Sequence, residues 1–123
     1  MKDFEEMEVW RDAQDLAVDV YNDYSKLKDY SFCDQIKRAA VSVSNNIAEG
    51  NGKFTGADRC RFFDIARGSA LESAAALDVL VAKKRCASEE VVAGKDRLWS
   101  IVSMLVGLIR SNSNYRLHEG GIE

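Results

Sequence analysis

No proline occurs anywhere in the 123 residues of this chain. Proline breaks helices more surely than any other residue, because it lacks the amide donor and its ring clashes with the preceding turn. A chain without it can run in long helices, and the apolar residues here recur with a helical rhythm. Trp10, Ala13, Ala17, Val20, Tyr24 and Leu27 stand alternately three and four apart, which lays one stripe on one face of a helix over about 4–27.

The punctuation that follows divides the rest. Ser31, with Asp34 three residues on, reads as the cap of a second helix over about 32–50, whose core stripe is Phe32, Ile36, Ala40, Val43 and Ile47. Gly50-Asn51-Gly52 reads as a left-handed C-terminal stop. Thr55 caps a third helix over about 56–85, with Lys83-Lys84-Arg85 as cations at its C-terminal end. Ser88-Glu89-Glu90 opens a fourth over about 89–110, and residues 111–123 read as a polar, frayed tail. Strand-type alternation persists nowhere, and no internal repeat is visible. Short connections favour antiparallel neighbours, so residues 1–110 are expected to form an all-α, up-down-up-down four-helix bundle.

Composition bounds the function. Apolar residues make up 46% and charged residues 30%, an ordinary balance for a soluble domain. No stretch approaches the roughly 20 apolar residues that span a bilayer. The opening MKDFEEMEVWRD is acidic rather than a secretory signal, so a cytoplasmic location without membrane contact is expected. Cys33, Cys60 and Cys86 lie far apart without a CxxC pair and read as reduced thiols. His118 is the only histidine, which argues against a His-based triad or a multi-histidine zinc site. The Glu-x-x-His pairs of di-iron bundles are absent. Gly50-Asn51-Gly52-Lys53 lacks the spacing and the Ser or Thr of a phosphate loop. No catalytic residue, metal, cofactor or small-molecule substrate is therefore expected.

The stretch KRAAVSVSNNIAEG, residues 37–50, sets small polar residues inside a helical pattern. Beside the core stripe runs a second one, Ala39, Ser42, Asn46 and Glu49, and the third helix answers with Arg67-Gly68-Ser69-Ala70 and Ser73-Ala74-Ala75-Ala76. Small side chains let helices approach closely, and buried polar groups then need partners across the interface. A buried network of Asn46, Glu49 and Arg67 is the preferred reading, ahead of a ligand site or a catalytic strip.

Charge is uneven. Residues 1–30 carry nine acids against four bases, and residues 31–123 carry eleven against thirteen. That is not the strongly basic profile expected of a general nucleic-acid binder. Lys37, Arg38, Lys53, Arg59 and Arg61 are nevertheless the candidate phosphate contacts, although no interleaving of basic and aromatic residues suggests base stacking. The run LWSIVSMLVGLI, residues 98–109, is apolar nearly all round, whereas a bundle helix buries one stripe. Trp99, Met104 and Val106 lie off the Leu98–Leu105 line and are expected to meet another subunit.

Three blocks of the chain resemble a known family: FEEMEVWRDAQDLAVDVY (4–21), QIKRAAVSVSNNIAEG (35–50) and RFFDIARGSALE (61–72). The chain looks like the small bacterial four-helix bundle proteins, also called the 23S rRNA intervening-sequence protein family. One departure is Ser44, where relatives commonly have proline, which should leave the second helix less kinked. The resemblance implies a homopentameric bundle, encoded in segments interrupting 23S rRNA genes or elsewhere in bacterial genomes, and mostly without established activity. A related branch serves a reverse transcriptase in diversity-generating retroelements, where a basic pentameric barrel is thought to hold nucleic acid and the polymerase. Asn46, Glu49, Arg67, Gly68 and Ser69 match motif positions, for which the family offers structure rather than chemistry. The expectation is a non-enzymatic homo-oligomer that binds or scaffolds a partner. The alternative is an accessory factor for RNA, DNA or a reverse transcriptase.

Overall fold

The computed structural model describes the backbone of residues 4–24 and 30–120, and side-chain surroundings for 8–18 and 33–113. Four helices account for most of it: α1 (Phe4–Tyr24), α2 (Tyr30–Asn51), α3 (Gly56–Ala82) and α4 (Val92–Gly120), with a 3-10 turn at Ser88–Val91 leading into α4. Each helix packs on the next and α1 closes against α4, while the diagonal pairs do not touch among the described residues. That square is the antiparallel up-down-up-down bundle expected from the short connections.

The core follows the spacing on α2; on α4 the expected line of Val91, Leu98, Val102, Leu105 and Ile109 holds only in part, since Val102 and Ile109 are half-buried and Ile101 and Leu108 are buried beside them. Ile36, Ala40, Val43 and Ile47 are fully buried, as are Leu98, Ile101 and Leu105. On α1 the buried line is Val9, Ala13 and Leu16, so the stripe is turned by one residue from the expected one. Trp10 is 36% exposed at the rim and Ala17 is half-buried. Val9/Trp10 and Leu16/Ala17 are adjacent pairs with the same rhythm, and the indole is the larger group to enclose. Val20, Tyr24 and Leu27, like the caps and stripe positions Ser31 and Phe32, have side chains outside the described residues.

Three boundaries depart from expectation. Gly50 carries no left-handed stop: α2 continues through it to Asn51, and a Cβ built on Gly50 would lie 2.6 Å from Phe63 Cε1. Its missing side chain lets α2 meet the Phe63 ring. The left-handed residue is instead Lys84, at φ 60°, just beyond the Lys83 cap of α3. There the Arg85 amide donates to Leu80 O and the Lys84 amide to Val81 O, which closes the helix end. Residues 111–120, read as a tail, continue α4. Asn112 Nδ2 donates to Leu108 O and its Oδ1 accepts from Arg59, so this polar side chain is held rather than solvated.

At the start of α3 the Asp58 amide donates to Thr55 Oγ1, the expected cap. Before the 3-10 turn, the Ala87 amide donates to Glu90 Oε1 at 2.6 Å, so Glu90 anchors the entry that sequence assigned to α4 itself.

Candidate functional site

The small polar residues of α2 join α3 by hydroxyl and amide bonds. Ser42 Oγ and Ser69 Oγ lie 2.9 Å apart, and Asn46 Nδ2 donates to Ser42 O and Ser42 Oγ. On α3, Ser73 Oγ donates to Ser69 O. These half-buried groups satisfy one another and fix the register of the two helices. The expected Asn46–Glu49–Arg67 network is not formed. Glu49 is exposed and reaches Lys53 at 3.9 Å, while Arg67 holds Asp64 Oδ1 at 2.7 and 3.0 Å. Partners three or four residues away on the same helix are met in water, without the desolvation that a buried pair demands.

The five candidate cations separate into three groups. Lys37 and Arg38 line a shallow groove of about 430 Å³ on the outer face of α2, with Val41, Ser42, Asn45 and Asn46, and Arg38 pairs with Asp34 at 3.0 Å. Arg59 turns inward. Its Nε donates to Asn112 Oδ1 and a terminal nitrogen to Asn51 O, and its guanidinium lies 5.5 Å from the Phe63 ring centre. It binds the ends of α2, α3 and α4 together and serves structure.

Lys53 and Arg61 form the third group. Both lie over the half-buried Phe62 ring, at 5.0 and 4.6 Å from its centre. Beside Lys53 in the chain, at the turn from α2 to α3, Phe54 is fully exposed. Basic and aromatic residues therefore come together at this tip, and the sequence expectation of no such interleaving overlooked Lys53-Phe54 and Arg61-Phe62-Phe63 in the chain itself. Sequence reasoning passed over Phe54; its lack of any helical stripe to join was the available signal.

On α4 the expected assembly residues do not share one face. Val92 and Trp99 are 53% and 52% exposed, with half-buried Val106 a further turn pair along the same line. Met104 instead packs against the core and borders a groove of about 480 Å³ between α1 and α4, with Glu8, Ser100, Ser103 and Gly107. It therefore leaves the outward set. Along α3, Gly68 and Ala75 face solvent, and a Cβ on Gly68 or Gly107 would meet nothing within 4 Å.

None of the three cysteines forms a disulfide; Cys33 is buried and the others are half-buried. Burial pushes the Cys86 thiol above the usual range for a cysteine, with Glu90 and Cys33 adding to the effect. Cys60 Sγ donates to Ile109 O at 3.4 Å. Among the described residues no group of three His, Cys, Asp or Glu side chains could hold a metal, and no helix is long and apolar enough to cross a membrane.

Residues 5–107 match the family described as 23S rRNA-intervening sequence protein. The fold is similar to that of a protein of unknown function from the S23 ribosomal protein family of Bacteroides thetaiotaomicron, at a TM-score of 0.80 and 22% identity, covering 87% of this chain and 99% of that one. No curated protein matches the chain significantly. Neither description names a catalytic activity.

Proposed function

The chain belongs to the 23S rRNA-intervening sequence protein family, and from that premise we propose that it is a non-enzymatic, cytoplasmic homo-oligomer, a pentamer, that binds or scaffolds a partner. The observation that carries this reading is the outer line of α4, where Val92 and Trp99 stand about half exposed and Val106 follows. Burying a large apolar side chain contributes roughly 1.5–3 kcal/mol, and a contact repeated around a ring multiplies that gain. Small Gly68 and Ala75 on the neighbouring helix would let a second backbone come close. The count of five comes from the family resemblance.

Light scattering on the purified protein should return close to five times the mass of one chain. One chain mass at micromolar concentration overturns the assembly, and a dimer overturns the fivefold count while sparing the bundle. A second reading, an accessory factor for nucleic acid or a reverse transcriptase, is favoured by Lys53, Phe54 and Arg61 at the α2–α3 tip.

A further inference from the structure

Phe54 is the one described large apolar residue with no cover at all, and it follows Lys53, which together with Arg61 lies over the Phe62 ring. A side chain of this size left wholly in water at a turn stabilises nothing in the bundle. We propose that the tip formed by Lys53, Phe54, Arg61 and Phe62 is a binding site for single-stranded nucleic acid, with a base stacked on Phe54 and phosphates on Lys53 and Arg61. This inference rests on the nucleic-acid reading above and gives it a place, and it is independent of subunit number.

Three features select this ligand. Stacking on an exposed aromatic ring is the sequence-tolerant way to hold an unpaired base, and it pairs with cations that track the backbone. Lys53 and Arg61 are held near the aromatic group by the Phe62 ring, so their charges are placed before a ligand arrives. Lys53 is what separates this composition from a contact between protein copies, whose centres are rich in phenylalanine and arginine but poor in lysine.

The acids around the tip limit the site to a short footprint. Exposed Glu49 reaches half-buried Lys53 only at 3.9 Å, a weak pairing that a phosphate can displace. Asp64 is engaged by Arg67, and Asp58 sits in the first turn of α3, where its amide is held by Thr55. The expected salt dependence is therefore shallow. Two phosphate contacts on a single strand give a log–log slope of about −1.4 per tip.

The test is fluorescence anisotropy with short fluorescein-labelled oligouridylate and oligothymidylate, at about 50 and about 200 mM salt. The wild-type chain should bind both. Phe54→Ala should weaken binding at least about fivefold, Phe54→Trp should retain it, and Lys53→Gln with Arg61→Gln should flatten the salt slope. Lys84→Gly, which removes a cation at the opposite end of α3, should bind as wild type does. Since Phe54 touches no core residue, its variants should melt as wild type does. No binding at the lower salt overturns both the site and the nucleic-acid reading. Equal binding by wild type and Phe54→Ala overturns the site alone. A change in assembled mass on Phe54→Ala would make the ring a contact between copies, and that too overturns the site.

Discussion

The α2–α3 pair and the α1–α4 pair are both in contact and both carry small residues along their seams, yet only in the first are the spaces beside those residues filled. Along α2–α3, Gly50 lies against the Phe63 ring and Ser42 bonds Ser69. Along α1–α4, Ser100, Ser103 and Gly107 line a groove of about 480 Å³ with Glu8 at its edge. A small residue brings helices together only when the opposite helix supplies something to fill or bond the space it leaves. Phe63 and Ser69 do so on α3, whereas Glu8 on α1 stays exposed. The same residue types therefore build a register lock on one side and a cleft on the other.

Glycine substitutions test this contrast most directly. Gly50→Ala should be the most damaging: its Cβ would fall 2.6 and 2.8 Å from Phe63 ring carbons, so the fully buried ring must shift. Overpacking of this kind costs typically 1–3 kcal/mol, and a denaturant titration should show the loss as a lower midpoint at unchanged slope. Wild-type stability in that variant would mean the two helices can slide apart freely. Ser42→Ala should cost about 1 kcal/mol, because it removes the hydroxyl that bridges Asn46 and Ser69. Stability within error of wild type would show that water replaces the bridge and that register is set by packing alone. Gly107→Ala should act in the opposite direction. Nothing lies within 4 Å of the added carbon, so relieving a mid-helix glycine should raise stability by roughly 0.5–1 kcal/mol in thermal melts. A lower melting temperature there would mean the cleft is occupied by a closely packed neighbour.

How legible these features were depended on whether they are periodic or paired. The α2 line of Ile36, Ala40, Val43 and Ile47 is periodic and wholly buried, and so are Leu98 and Leu105 on α4, whose line-mates Val102 and Ile109 are half-buried. On α1 the rhythm was right but its phase was not, since Val9 and Trp10 compete for the same turn and only packing chooses between them. The partners of Glu49 and Arg67 were misjudged for a different reason: two charges of opposite sign on facing helices suggest a bond, yet Lys53 and Asp64 were nearer along their own helices. Gly50 looked like a stop because a glycine near a helix end usually is one, and the ring it accommodates lies thirteen residues ahead. The tip was the least legible feature. Lys53 and Phe62 belong to different helices' ends, and only the turn between them brings cation and ring together.

Arg59 also imposes an order on how the chain comes together. Its bond to Asn51 O spans 8 positions, while its bond to Asn112 spans 53. By the logarithmic law for joining two points on a flexible chain, the longer closure costs about 1.7 kcal/mol more than the shorter. The turn between α2 and α3 can therefore assemble from nearby residues, whereas the far end of α4 must wait for most of the chain to be collected. One guanidinium thus takes part in both an early, short closure and one of the most distant events of folding.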